Sequence, residues 1–223
     1  MTSGLVPLPR WRVPRASRPI EEDAILGDWV WREVPRLPPF VLSDGSRPAS
    51  MQTAVRVCGD DYGLAVRFDC ADLSAWGTLT ERDDPLWQEE AVEVFLAAGA
   101  DDPKRYFEFE VSPLGTLFDA RIDNPTSRRA DLRADTAWDC PGIRWGAGKT
   151  GTDDDWWAVL AFPWDSIGVS GSPPDLLRAN FYRIERPRGG AEEWSAWSPT
   201  LASPPDFHQP ARFGFLSAGG RIA

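Results

Sequence analysis

Histidine, methionine and cysteine are all scarce in this chain of 223 residues, with one, two and three copies. A lone histidine rules out a His-rich zinc site, and any Ser-His-Asp triad would have to be built around His208 with no G-x-S-x-G elbow to supply the serine. Cys58, Cys70 and Cys140 are odd in number, so at least one thiol is unpaired. Cys58 lies beside the turn GDDYG and Cys70 about six residues past it, roughly 20 Å apart at ~3.3 Å per residue, too far for a bridge. Reduced, buried thiols are expected, which favours a reducing compartment. Basic charge is also short: Lys and Arg number 24 against 34 Asp and Glu, a net charge of −10 that opposes nucleic acid and anionic membrane alike. No apolar run reaches the ~18 residues of a membrane span. The opening MTSGLVPLPRWRVPRAS has no apolar stretch of the secretory kind. The expected location is cytoplasmic if the chain is complete, and extracellular or periplasmic if a leader has been removed.

Tryptophan, proline and glycine are abundant instead, with 12, 21 and 19 copies. Twelve indoles exceed the needs of one core, because Trp is seldom fully buried and keeps its N–H near a partner. Gly and Pro fall between short alternating or β-branched runs, which predicts many strands and few helices. Strands are expected at 52–58, 63–70, 91–97, 105–112, 116–122, 156–162, 177–185, 193–198 and 212–216. A helical turn is expected only at Pro163–Ile167. The expected architecture is all-β: residues 1–20 an extended lead-in and 21–223 a single antiparallel β-sandwich domain.

Side chains alternate across a strand, so each run divides into two faces. Val92, Val94 and Leu96 oppose Glu93 and Phe95, and Phe107, Phe109 and Val111 oppose Tyr106, Glu108 and Glu110. Taking Phe118, Ala120 and Ile122 as the apolar face of 116–122 puts Asp119 and Arg121 with the acids. One surface would then carry Glu93, Tyr106, Glu108, Glu110, Asp119 and Arg121, with Trp87 at its edge. A solvated sheet face would explain the alternation, but like charges across neighbouring strands are destabilising. Acids beside an exposed ring suit a sugar, whose hydroxyls donate to carboxylates while its C–H face stacks on an indole. The same oxygens would suit calcium, as would the acidic loops GADDPK and GTDDDW, though neither has EF-hand spacing.

The ordered blocks DDPLWQEEAVEVFL, YFEFEVSPLGTLFDARI, WWAVLAFPWDSIG, LRANFYRIE, WSAWSPT and FHQPARFGFL resemble the family 9 carbohydrate-binding module and its single-domain relatives, over roughly residues 20 to 217. The resemblance implies a β-sandwich that recognises glucan or xylan chain ends between two aromatic rings. It puts one clamp ring on Trp87 and the other on Phe207, with His208 beside it. It also assigns sugar-bonding roles to Glu93 in the V-E-x-F motif, to Glu110 on the next strand and to Asp72. Phe207 stands where the family has Trp, Glu110 where binding modules can carry a basic residue, and SPPDF has no counterpart of a family Asn. From these residues the expected function is non-catalytic binding of an oligosaccharide or polysaccharide by a monomer, with Arg121 also bonding hydroxyls and Trp197 near the site.

Two other chemistries use the same residues. Glu93 and Glu110 would be close enough for the carboxylate pair of a glycoside hydrolase or lyase, which needs about 5 to 9.5 Å. Met51 and His208 would be the axial ligands of a haem-binding sandwich, although C-x-x-C-H is absent.

Overall fold

The structure is a computed structural model that describes residues 6–151, 154–170 and 173–218. Residues 1–5 of the expected lead-in, and Thr152 and Asp153 of the GTDDDW loop, lie outside the described residues. In chain order the strands are β1 (Arg10–Val13), β2 (Val41–Leu42), β3 (Thr53–Gly59), β4 (Gly63–Cys70), β5 (Ala91–Ala98), β6 (Arg105–Val111) and β7 (Leu117–Asp123). They continue as β8 (Arg133–Asp135), β9 (Arg144–Lys149), β10 (Trp156–Pro163), β11 (Leu176–Glu185), β12 (Glu193–Ala196) and β13 (Gly214–Ala218). The large sheet runs β1-β13-β11-β5-β6-β7-β8, with β12 pairing β11 and β2 pairing β12. The small sheet runs β3-β4-β10-β9. The protein is thus an all-β sandwich.

All nine expected strands form, because their apolar alternation is bounded by Gly, Pro and Asp turns. Residues 10–13 of the lead-in are also a strand, β1, which pairs in parallel with β13 at the edge of the large sheet. The helical turn at Asp165–Ile167 forms and closes on Gly168, whose φ of 77° is the left-handed conformation that glycine adopts without strain. Further short 3₁₀ turns, among them Leu86–Gln88 and Pro210–Arg212, carry no apolar periodicity that would have signalled them.

The main core lies between the sheets, where Val92, Val94, Leu96, Phe109 and Phe181 meet Val57, Val66, Phe68, Trp156 and Leu160. Each such side chain contributes about 1.5–3 kcal/mol on burial. The other face of the large sheet is not open to water, as simple alternation suggested. Leu86, Phe207 and Phe213 from the connecting segments cover Phe95, Tyr106, Phe118 and Tyr182, building a second core. Residues from 20 to 34 similarly cover the outer face of the small sheet, with Ile20, Ile25, Val30 and Trp31 over Cys58, Ala65 and Val159.

All three cysteines are free and buried. Cys58 pairs across from Ala65 and Cys70 from Thr53, at opposite ends of the β3–β4 hairpin. Burial pushes both thiols up to about 12, which makes them poor nucleophiles.

Candidate functional site

The second core opens into a pocket of about 820 Å³ on the outer face of the large sheet. Its floor comes from the central strands: Glu93 and Phe95 on β5, Glu108 and Glu110 on β6, and Phe118 on β7. Glu93 lies directly across from Glu110, and Glu110 directly across from Phe118. Its walls are Trp87 on one connecting segment, Trp194 on β12, and the stretch from Ala202 to Gln209.

Trp87 is 41% exposed and meets Phe118 edge-on, with centroids 5.2 Å apart. It is an indole held at the pocket's edge with a free face. Phe207 also lines the pocket but is only 4% exposed. Its ring stacks on Tyr182 at 4.1 Å and leans on Trp194 at 5.0 Å, so it backs the wall instead of standing out as a free clamp. The ring with partial exposure on that side is Trp194.

The carboxyl oxygens of Glu93, Glu108 and Glu110 lie within 4.8 Å of one another. Glu93 is 2% exposed, Glu108 6% and Glu110 0%. Burial raises all three well above the usual carboxylate range, and mutual repulsion adds to this for Glu93 and Glu110. Glu108 is pushed up to about 8 by burial, held back by Arg129 and by its contact with the Glu110 carboxyl. At neutral pH the group therefore retains protons when no ligand is bound. Neither Glu110 oxygen has a hydrogen-bond partner of good geometry.

His208 shares this floor. Its Nδ1 is 2.8 Å from the Tyr106 hydroxyl, its ring packs on Phe95 at 5.1 Å, and its Nε2 is 3.8 Å from Glu108. Burial, helped by Arg129, lowers it to about 3, so it is a neutral imidazole. Met51, the other haem-ligand candidate, does not line this pocket; its backbone N–H donates to Glu193.

Two expected site residues lie elsewhere. Arg121 is on the opposite face of β7, because Phe118, Ala120 and Ile122 are the residues that share a face with the acids. It pairs with Asp135 at 2.5 Å, beside the Trp138 ring. Asp119 shares its face, buried against Arg82 at 2.6 Å. Both faces of β7 are apolar enough to be buried, so the pattern of this strand left its orientation undetermined. Asp72 is 5% exposed and lies on the inner side of the sheet, accepting from Arg183 at 2.8 Å and from the Trp156 indole at 3.2 Å. Trp197 packs on Phe181 in the main core, while Trp194, three residues earlier, faces the pocket.

The acids around Trp87 also divide by role. Glu89 accepts from the backbone N–H of Thr78 at 2.7 Å and pins that loop. Glu90 is fully buried with Asp72 and Glu185, and burial pushes it up to about 8.

Among the described residues, three groups of carboxylates come close enough to share a cation: Asp72–Glu90–Glu185, Asp83–Asp119–Asp139 and Glu93–Glu108–Glu110. Neither GADDPK nor the described part of GTDDDW contributes a ligand to them. Arg183 sits in the first group and Arg82 in the second, at 2.6 Å from both Asp119 and Asp139. No Lys or Arg of the described residues makes an ion pair with the third.

The two-sheet sandwich thus gathers indole rings and carboxyl groups in a concavity on the outer face of its large sheet, the layout of a binding module. The chain belongs to carbohydrate-binding family 9, whose model matches residues 46–218. A protein of Arthroderma benhamiae described as an extracellular protein is 30% identical over 139 residues, which is 59% of this chain and 63% of that relative's length. In fold, the chain matches a candidate carbohydrate-binding protein from Bacteroides uniformis with a TM-score of 0.78 at 19% identity, covering 96% of this chain and 100% of that one. It matches a family 9 carbohydrate-binding module from Caldicellulosiruptor kristjanssonii, solved with glucose, with a TM-score of 0.62 at 16% identity over 96% and 97% of the two chains. The same module solved with cellotriose gives 0.62 at 15% identity over 96% and 95%.

Proposed function

We propose that this protein binds the end of an oligosaccharide or polysaccharide in the pocket between Trp87 and Trp194 and leaves it unchanged. The observation that carries this reading is the convergence of a partly exposed indole and three carboxyl groups on one concavity, in a chain of carbohydrate-binding family 9. Trp87 stacks on the C–H face of the sugar, Trp194 closes the other side with Phe207 behind it, and Glu93 and Glu110 bond hydroxyls. His208, neutral and fixed by Tyr106, offers a further polar edge. A stacked ring contributes about 1.5–3 kcal/mol through apolar burial, so millimolar to micromolar affinity follows for a monomeric module.

The same carboxyls suit hydrolysis poorly. A glycosidase separates its two carboxyl groups in role, one kept protonated and the other ionised, on opposite sides of the scissile bond. Here burial pushes Glu93, Glu108 and Glu110 in one direction, and all three project from one face of adjacent strands. Calorimetric titration with a panel of soluble oligosaccharides, followed by product analysis, tests the reading. Saturable binding with the sugar recovered intact is the expected result, and release of shorter or modified sugars would replace the binding role with an enzymatic one.

A further inference from the structure

The proposed sugar site differs from the other two acid groups in that no cation of the described residues forms an ion pair with its three acids, although Arg129 lines the same pocket. In the Asp72–Glu90–Glu185 group, Arg183 reaches Asp72 and Glu185, and in the Asp83–Asp119–Asp139 group, Arg82 reaches all three. Glu93, Glu108 and Glu110 are buried as deeply as the first of these groups, yet the cation whose field reaches them, Arg129, is 63% exposed and pairs with Asp206 at 3.6 Å. The other titratable groups facing them are Tyr106, Tyr182, the neutral His208 and Asp206, whose charge acts on Glu108. Glu110 is the telling member: it is 0% exposed, lines the pocket, and apart from its contact with Glu108 inside the group neither of its oxygens has a hydrogen-bond partner of good geometry. A buried, unpartnered carboxyl is costly, and a group of three aimed into an open concavity is arranged for a donor that arrives from outside.

We propose that the occupant of this pocket is an amino sugar, with its protonated amine seated among Glu93, Glu108 and Glu110. This rests on the saccharide-binding reading above. An ammonium has three N–H donors and no acceptor, which matches three carboxyl acceptors grouped within 4.8 Å. The pyranose ring carrying it reaches Trp87 and Trp194, and the indole faces attract the same positive charge. A hard divalent cation fits less well. Calcium takes 6–8 oxygen ligands, commonly with loop carbonyls among them, whereas these acids stand on two neighbouring strands beside aromatic walls.

The test is a calorimetric comparison of glucosamine, glucose and N-acetylglucosamine at pH 6 and low salt, with calcium chloride titrated in parallel. The three sugars share a ring and differ in whether position 2 is charged. Glucosamine is expected to bind at least about tenfold more tightly than either neutral sugar, the gain of a charge-assisted hydrogen bond over a neutral one. In Glu110→Gln that ratio falls towards one, and Glu93→Gln serves as the second variant should the first fail to fold. Glucose or N-acetylglucosamine binding as tightly as glucosamine would overturn the amino-sugar inference and leave saccharide binding standing. A preference that survives in both variants would also overturn it, as would calcium binding that Glu110→Gln abolishes without any discrimination among the sugars. Failure of every sugar to bind would sink both readings.

Discussion

Opposite faces of the large sheet meet two groups of buried acids that have been treated in opposite ways. On the inner face Asp72, Glu90 and Glu185 gather around Arg183, whose side chain is fully buried and also donates to the Ala71 carbonyl at 2.7 Å. On the outer face, where Tyr182 stands across from Glu93, the acids Glu93, Glu108 and Glu110 gather around a pocket. The inner group holds the fold together with a charge the chain supplies itself. The outer group is left short of positive charge in the interior of the protein, a cost that the proposed ligand would relieve.

Removing the inner cation should have the largest effect. Arg183→Met is expected to cost about 3–5 kcal/mol in urea unfolding, since it strands Asp72 and Glu185 as buried charges beside Glu90. A loss below ~1 kcal/mol would erase the contrast between the groups.

The next effect is the pH dependence of the ligand-free protein. Glu108 and Glu90 are raised to about 8 and Glu93 and Glu110 lie well above the carboxylate range, so the native state holds protons that the unfolded chain releases near pH 4.5. Stability is then greatest below the unfolded values and falls as pH rises from about 5 to 8, by about 1.4 kcal/mol per pH unit for each extra proton held. Glu110→Gln should flatten that slope, which thermal melts across the range would record. A slope identical to wild type would place the protons on groups other than Glu110.

Glu110→Gln should have the smallest effect on stability itself, within about 1 kcal/mol of wild type at neutral pH, because it removes one acid from a group that already repels itself. A loss comparable to that of Arg183→Met would mean that Glu110 is a structural residue.

Much of the candidate pocket was legible in the sequence. Trp87, Glu93, Glu110, Phe207 and His208 do line one pocket, because the V-E-x-F alternation fixes which side of β5 carries Glu93 and the neighbouring strand repeats it. Parity failed where both faces of a strand are buried: on β7 it sent Arg121 and Asp119 to the wrong side, while Trp197, expected near the site, packs in the main core and Trp194 lines the pocket instead. Asp72 was misassigned for a different reason. Its partner Arg183 is 111 residues away, a pairing that no local pattern announces. The edge strands β1, β2, β8 and β9 escaped notice because they are short, exposed or, in RWGAGK, interrupted by glycine.

The most direct measurement of the central claim, that this pocket is the saccharide site, is the affinity of Trp87→Ala for the tightest sugar of the panel. Trp87 is 41% exposed and at the edge of the second core, so its truncation should leave the fold intact while weakening binding by about 10- to 100-fold, the free energy of one stacked ring. A folded variant that binds that sugar as tightly as the wild type would contradict the account.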